Sequence, residues 1–149
     1  MEDKDLQDQI NKKMKNGWIK SRMMMEVLAI DPKKTKEALE KHVEKMASED
    51  SIFVYRKDFK EVIETASPYR DIPKAYSAIV ELEALTKDID TLVFIVMNYG
   101  PSSIEILEPE KMTIDAGEIQ GMLVSISTML HRFAASSGGL MIKARDKPQ

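Results

Sequence analysis

Two glutamates one residue apart, Glu81 and Glu83 in the run Ser77-Ala78-Ile79-Val80-Glu81-Leu82-Glu83, are the side chains of this sequence best spaced for chemistry. Side chains alternate along an extended strand, so both carboxylates fall on one face, about 7 Å apart. Such a pair can do acid–base work or hold a hard cation. The competing reading is ion pairing with Lys20 and Arg22, which share a face of an earlier strand; pairs of that kind contribute roughly 0.2–1 kcal/mol each. Tyr99 and Ser102 flank the turn Tyr99-Gly100-Pro101-Ser102, which is placed to bound a small-molecule pocket. Lys20, Arg22, Glu81, Glu83, Tyr99 and Ser102 are therefore the candidate ligand-binding residues.

Other chemistries find no support. The chain has no Cys, which excludes a thiolate nucleophile and a disulfide framework and suits a reducing, cytoplasmic setting. His42 and His131 stand alone, without the spacing of a zinc site. The turn Asp31-Pro32-Lys33-Lys34 lacks the glycines of a phosphate cradle. No catalytic set, metal or cofactor is expected.

The elements that must position these residues are legible from punctuation and periodicity. Residues 3–16 carry Leu6, Ile10 and Met14 four apart, a narrow helical stripe that Gly17 stops. Residues 18–30 read as a strand with Ile19, Ser21, Met23, Met25, Val27 and Ala29 facing covering helices. The opposite parity is mixed; on it Met24, with Trp18, Leu28 and Ile30, is a candidate contact patch. Asp31 and Pro32 open a helix with Thr35, Leu39, Val43 and Met46 inward. Residues 51–66 hold two strands or one bent strand, and 67–73 a loop. A strand follows over 75–85. A helix over 89–99, capped by Asp88 and apolar nearly all round, implies packing on more than one side. Residues 103–107 form a last strand, stopped at Glu108-Pro109.

The last helix, capped by Asp115 or Thr113, bears Ile119, Met122, Leu123, Ile126, Met129, Leu130 and Phe133 on one stripe. Burying seven such residues would contribute on the order of 10–20 kcal/mol at about 1.5–3 each. Two sites can take it: the open sheet face of its own chain, or a partner subunit. The spacing of Ile119, Met122, Ile126, Met129 and Phe133 suits helix pairing, so these five are the expected oligomer interface.

The order strand, helix, two strands, helix, strand predicts an α+β fold: a ferredoxin-like βαββαβ sheet with an extra N-terminal helix and a long C-terminal amphipathic helix. The expected layout is a helical arm over 1–17, one domain over 18–135 and a flexible tail over 136–149, in which 140–142 could add an edge strand. The longest apolar run, 92–97, is too short to span a bilayer, so no membrane association is expected. A net charge of −3 disfavours nucleic acid. So do Glu81 and Glu83, which would stand where a phosphate backbone must pass.

From Ser77 to Phe133 the chain reads as a strand, Asp90-Thr91-Leu92 opening a helix, Asn98-Tyr99-Gly100-Pro101, Ile104-Glu105-Ile106-Leu107-Glu108-Pro109, then an amphipathic helix. This resembles the C-terminal extension that follows WYL domains in bacterial regulators. The resemblance implies a ferredoxin-like unit in a regulatory setting, although the WYL domain and winged helix are absent. In overall style the sequence is also similar to small uncharacterised archaeal proteins. The function expected is a non-enzymatic, self-associating binding module for a small molecule or protein; the alternative is a small enzyme using Glu81 and Glu83 on the open sheet face.

Overall fold

The computed structural model describes residues 3–137. The chain divides into two compact units, Met1–Met112 and Thr113–Gln149.

The first unit is built on an antiparallel sheet. Strand β1 (Ile19–Ala29) leads into helix α2 (Pro32–Ala47), after an N-terminal helix α1 (Asp3–Lys15). Strands β2 (Ile52–Phe59), β3 (Ile63–Ala66) and β4 (Lys74–Thr86) follow, then helix α3 (Ile89–Tyr99) and strand β5 (Ser103–Glu108). The strand order is β2-β4-β1-β5, with β3 also on β4. β2 pairs with the end of β4 at 80–86 and β3 with its start at 74–77, so the two lie end to end along one edge. The uncertain stretch 51–66 is thus two strands on one line, interrupted where the Lys60 N–H reaches the Ile79 carbonyl at 2.9 Å.

Local chemistry explains the ends. Gly17 and Gly100 take positive φ, at 86° and 54°, a conformation open to glycine because it lacks a Cβ. The Asp31 carboxylate accepts the Lys34 N–H at 3.0 Å, and the Asp88 carboxylate accepts that of Thr91 at 2.8 Å. Each satisfies a donor that the first helical turn leaves without a partner.

One sheet face carries the core. Ile19, Met23 and Met25 of β1 and Ala78, Val80, Leu82 and Ala84 of β4 meet Leu39, Val43 and Met46 of α2 and Leu92, Ile95 and Tyr99 of α3. These are the parities expected from the sequence. Both crossover helices lie on that face. α3 differs from expectation in burying a single side: Phe94 and Val96, at 39% and 48% exposure, face away from the core.

The second unit contains helix α4 (Ala116–Ser137). Asp115 caps it, accepting the Glu118 N–H at 2.8 Å. The helix continues past residue 136, where the tail was expected; the rest of that tail, with 140–142, lies outside the described residues. No residue of α4 with a described side chain is buried, and Leu123, Leu130 and Phe133 are 61%, 46% and 58% exposed.

Candidate functional site

The second sheet face of the first unit collects the charged side chains. Antiparallel register sets Arg22 opposite Glu83 and Met24 opposite Glu81 on β4, while Arg22 also faces Glu105 on β5. The Arg22 guanidinium sits among three carboxylates: Nη2 to Glu83 Oε1 at 3.1 Å, Nε to Glu81 Oε1 at 3.4 Å and Nη1 to Glu105 Oε2 at 3.5 Å. Arg56 of β2 takes the other Glu83 oxygen at 3.4 Å. Glu83 therefore lies between two arginines, and its side chain is only 13% exposed. The hydrogen bond to Glu83, outweighing partial desolvation, holds the Arg22 guanidinium above its ordinary range.

Of the residues singled out from sequence, the fold brings Arg22, Glu81 and Glu83 together. Lys20 is not with them. It falls opposite Leu85, and its ammonium sits 5.9 Å from the Tyr55 ring centroid. Tyr55 occupies the register shift between Val54 and Arg56 on β2. Its hydroxyl is buried without a hydrogen-bond partner among the described residues. Burial first, and the charge of Glu83 next, push its pKa up to about 12.

Tyr99 and Ser102 serve the frame. The Tyr99 side chain is buried, and its carbonyl accepts a hydrogen bond from His42 Nε2 at 2.8 Å, tying α3 to α2. Burial, followed by the charge of Glu49, raises the Tyr99 phenol. The Ser102 N–H donates to the Met24 carbonyl at 2.8 Å, fastening the turn to β1.

The face is not uniform along its length. At one end α1 packs against β4, with Ile10 and Leu85 buried there. Lys13 of α1 lies 4.1 Å from the Trp18 ring centroid and 5.3 Å from that of Phe53. The terminal helix is thus docked on its own sheet. The ion network occupies the middle. At the far end is an open depression of about 370 Å³, lined among others by Glu26, Leu28, Ile63, Ser77 and Ile79. There Ser77 Oγ donates to Glu26 Oε1 at 2.8 Å.

Sequence reasoning missed Arg56, Tyr55 and the Glu26–Ser77 pair. The first two sit beside a register shift that parity counting does not foresee; the third joins diagonal neighbours, visible only once β1 and β4 are aligned. Among the described residues no cluster of histidines and acids could hold a metal ion, and no helix is long and apolar enough to cross a membrane.

Comparison with curated proteins and with solved structures returns no match. One family model matches, over residues 20–148, from β1 through α4 and beyond the described residues. On that coverage, the chain belongs to the MJ0538 family.

Proposed function

We propose that this protein is a non-enzymatic, self-associating binding module, assembled through α4 and taking its ligand on the open sheet face. The observation that carries this reading is α4 itself. Ile119, Ile126 and Phe133 are 44%, 41% and 58% exposed, with Met122 and Met129 half-buried between them. Leaving such a stripe in water forgoes about 1.5–3 kcal/mol per large side chain. A second copy is the occupant that fits. The helix carries one acid, Glu118, and one base, Arg132, equally far from Ser125 on either side. An antiparallel pair centred on Ser125 brings Glu118 of each copy to the height of the other's Arg132 while the apolar stripes meet.

The sheet order β5-β1-β4-β2, with α2 and α3 crossing on one face, supports reading the first unit as ferredoxin-like βαββαβ, β2 and β3 being halves of one broken strand. The absence of Cys suits a cytoplasmic setting. The local resemblance of 77–133 to the extension of WYL regulators favours a regulatory role. The enzymatic alternative would require Glu81 or Glu83 to be available, and both meet arginine.

Sedimentation velocity of the full chain across a wide concentration range tests the assembly. The expected result is a concentration-dependent dimer or larger species, lost in the double variant Ile126→Ser, Phe133→Ser. A monomer at every concentration overturns the proposal.

A further inference from the structure

Beyond Met24, strand β1 has no outer neighbour among the described residues. β5 pairs with it only over 20–24, and the last contact is the Ser102 N–H on the Met24 carbonyl. That bond fixes which way the backbone faces. Alternate residues of an antiparallel strand send both N–H and C=O to the same edge. The N–H and C=O groups of Glu26 and Leu28 therefore point outward, as those of Met24 do, and have no backbone partner among the described residues.

This edge lacks the usual protection. Exposed edges are commonly blunted by lysine, proline or a bulge. Here residues 25–30 read Met-Glu-Val-Leu-Ala-Ile, with Glu26 the single charge, and Leu28 and Ile30 are exposed. The depression on the open face starts at Glu26 and Leu28 of β1 and runs inward across Ser77 and Ile79 of β4 to Ile63 and Thr65 of β3. A strand laid along the edge would thus have an apolar hollow with a carboxylate within side-chain reach.

Charge selects the occupant. Glu81, Glu83 and Glu105 each meet arginine, whereas Glu26 meets only the Ser77 hydroxyl and no cation among the described residues. A second copy pairing through the same edge would bring another Glu26 and no base. We infer that the free edge of β1 at 25–29 accepts an extended basic peptide as an added strand, with a Lys or Arg side chain reaching Glu26 over the hollow. Main-chain hydrogen bonds to Glu26 and Leu28 would supply affinity, and Glu26 with Leu28 the selection for a cation on an apolar stem. The inference deepens the binding-module reading by naming a partner class, and it does not depend on α4 pairing.

The test uses the isotope-labelled full chain, below the concentration at which it self-associates, so that failure here and failure of the α4 assembly are separate results. The probe is the blocked peptide Thr-Lys-Val-Arg-Val-Thr, whose basic residues share one face when extended; the control is Thr-Glu-Val-Glu-Val-Thr. Amide shifts centred on 25–30 and on the paired 76–79 of β4 are expected with the basic peptide, with binding at least tenfold weaker for the acidic one. Glu26→Gln should weaken the basic peptide at least fivefold and erase the preference. Leu28→Pro removes an outward N–H without touching the β4 ladder, and should abolish binding while circular dichroism keeps the fold. Equal binding of both peptides, or Glu26→Gln without effect, overturns the charge assignment. Binding retained by a folded Leu28→Pro variant overturns strand addition. Shifts at 25–30 that grow with protein concentration in the absence of peptide would give the edge to a second copy and also overturn it.

Discussion

Helices α2 and α4 present the same kind of apolar stripe and meet opposite fates. Thr35, Leu39, Val43 and Met46 of α2 are all at most 1% exposed, closed against β1 and β4. On α4 the side chains at matching three- and four-residue spacing stay largely in water. Periodicity marks a face that favours burial; it carries no information about what buries it. On α2 the cover is the sheet, β4 as much as the chain-adjacent β1. On α4 we assign it to a second copy.

The contrast can be broken by measurement, beginning with the largest effect. Leu39→Ala should cost about 2–5 kcal/mol in urea unfolding, since it empties a fully enclosed site. Asp88→Ala should cost about 1 kcal/mol, because the lost cap frees the Thr91 N–H at the start of a helix that unfolds with the sheet. The same change at Asp115 should reduce helical circular dichroism and leave the main unfolding midpoint in place. A further effect, confined to alkaline pH, concerns the sheet. The Tyr55 phenol is raised from about 10 unfolded to about 12 folded. Its contribution is complete below pH 10 and is lost as pH rises from 10 towards 12, because the unfolded chain releases the proton first. Tyr55→Phe should flatten that decline in thermal melts between pH 9 and pH 12; parallel curves would show that the phenol is not where the pH sensitivity lies. Last, Leu130→Ala should change the stability of the unassociated chain by no more than about 0.5 kcal/mol. A cost matching that of Leu39→Ala would show α4 closed within its own chain and end the comparison.

The ion network gives the same lesson on a smaller scale. Parity alone put Arg22, Glu81 and Glu83 on one face, and they meet there. It put Lys20 with them as well, yet Lys20 lies opposite Leu85, two positions along, and turns to Tyr55. Glu105 arrives from β5, and Arg56 from beyond a register shift on β2. A face is a property of one strand. A partner depends on how two strands are aligned, and alignment is a tertiary quantity.

What the sequence determined by itself was local: the caps at Asp31 and Asp88, a cap at Asp115 or Thr113, the glycine stops at Gly17 and Gly100, the inward parity of β1 and β4, and the apolar stripes of α2 and α4. These follow from backbone sterics, capping hydrogen bonds and side-chain periodicity, all set within a few residues. The tertiary structure alone decided that α1 covers one end of the open face, that Arg22 gathers three carboxylates from two strands, and that β1 outruns β5 at Met24. Each depends on the register and length of strands distant in the chain. No local rule specifies where one strand ends beside another, and the edge at Glu26 has no strand beside it among the described residues because β5 stops short there.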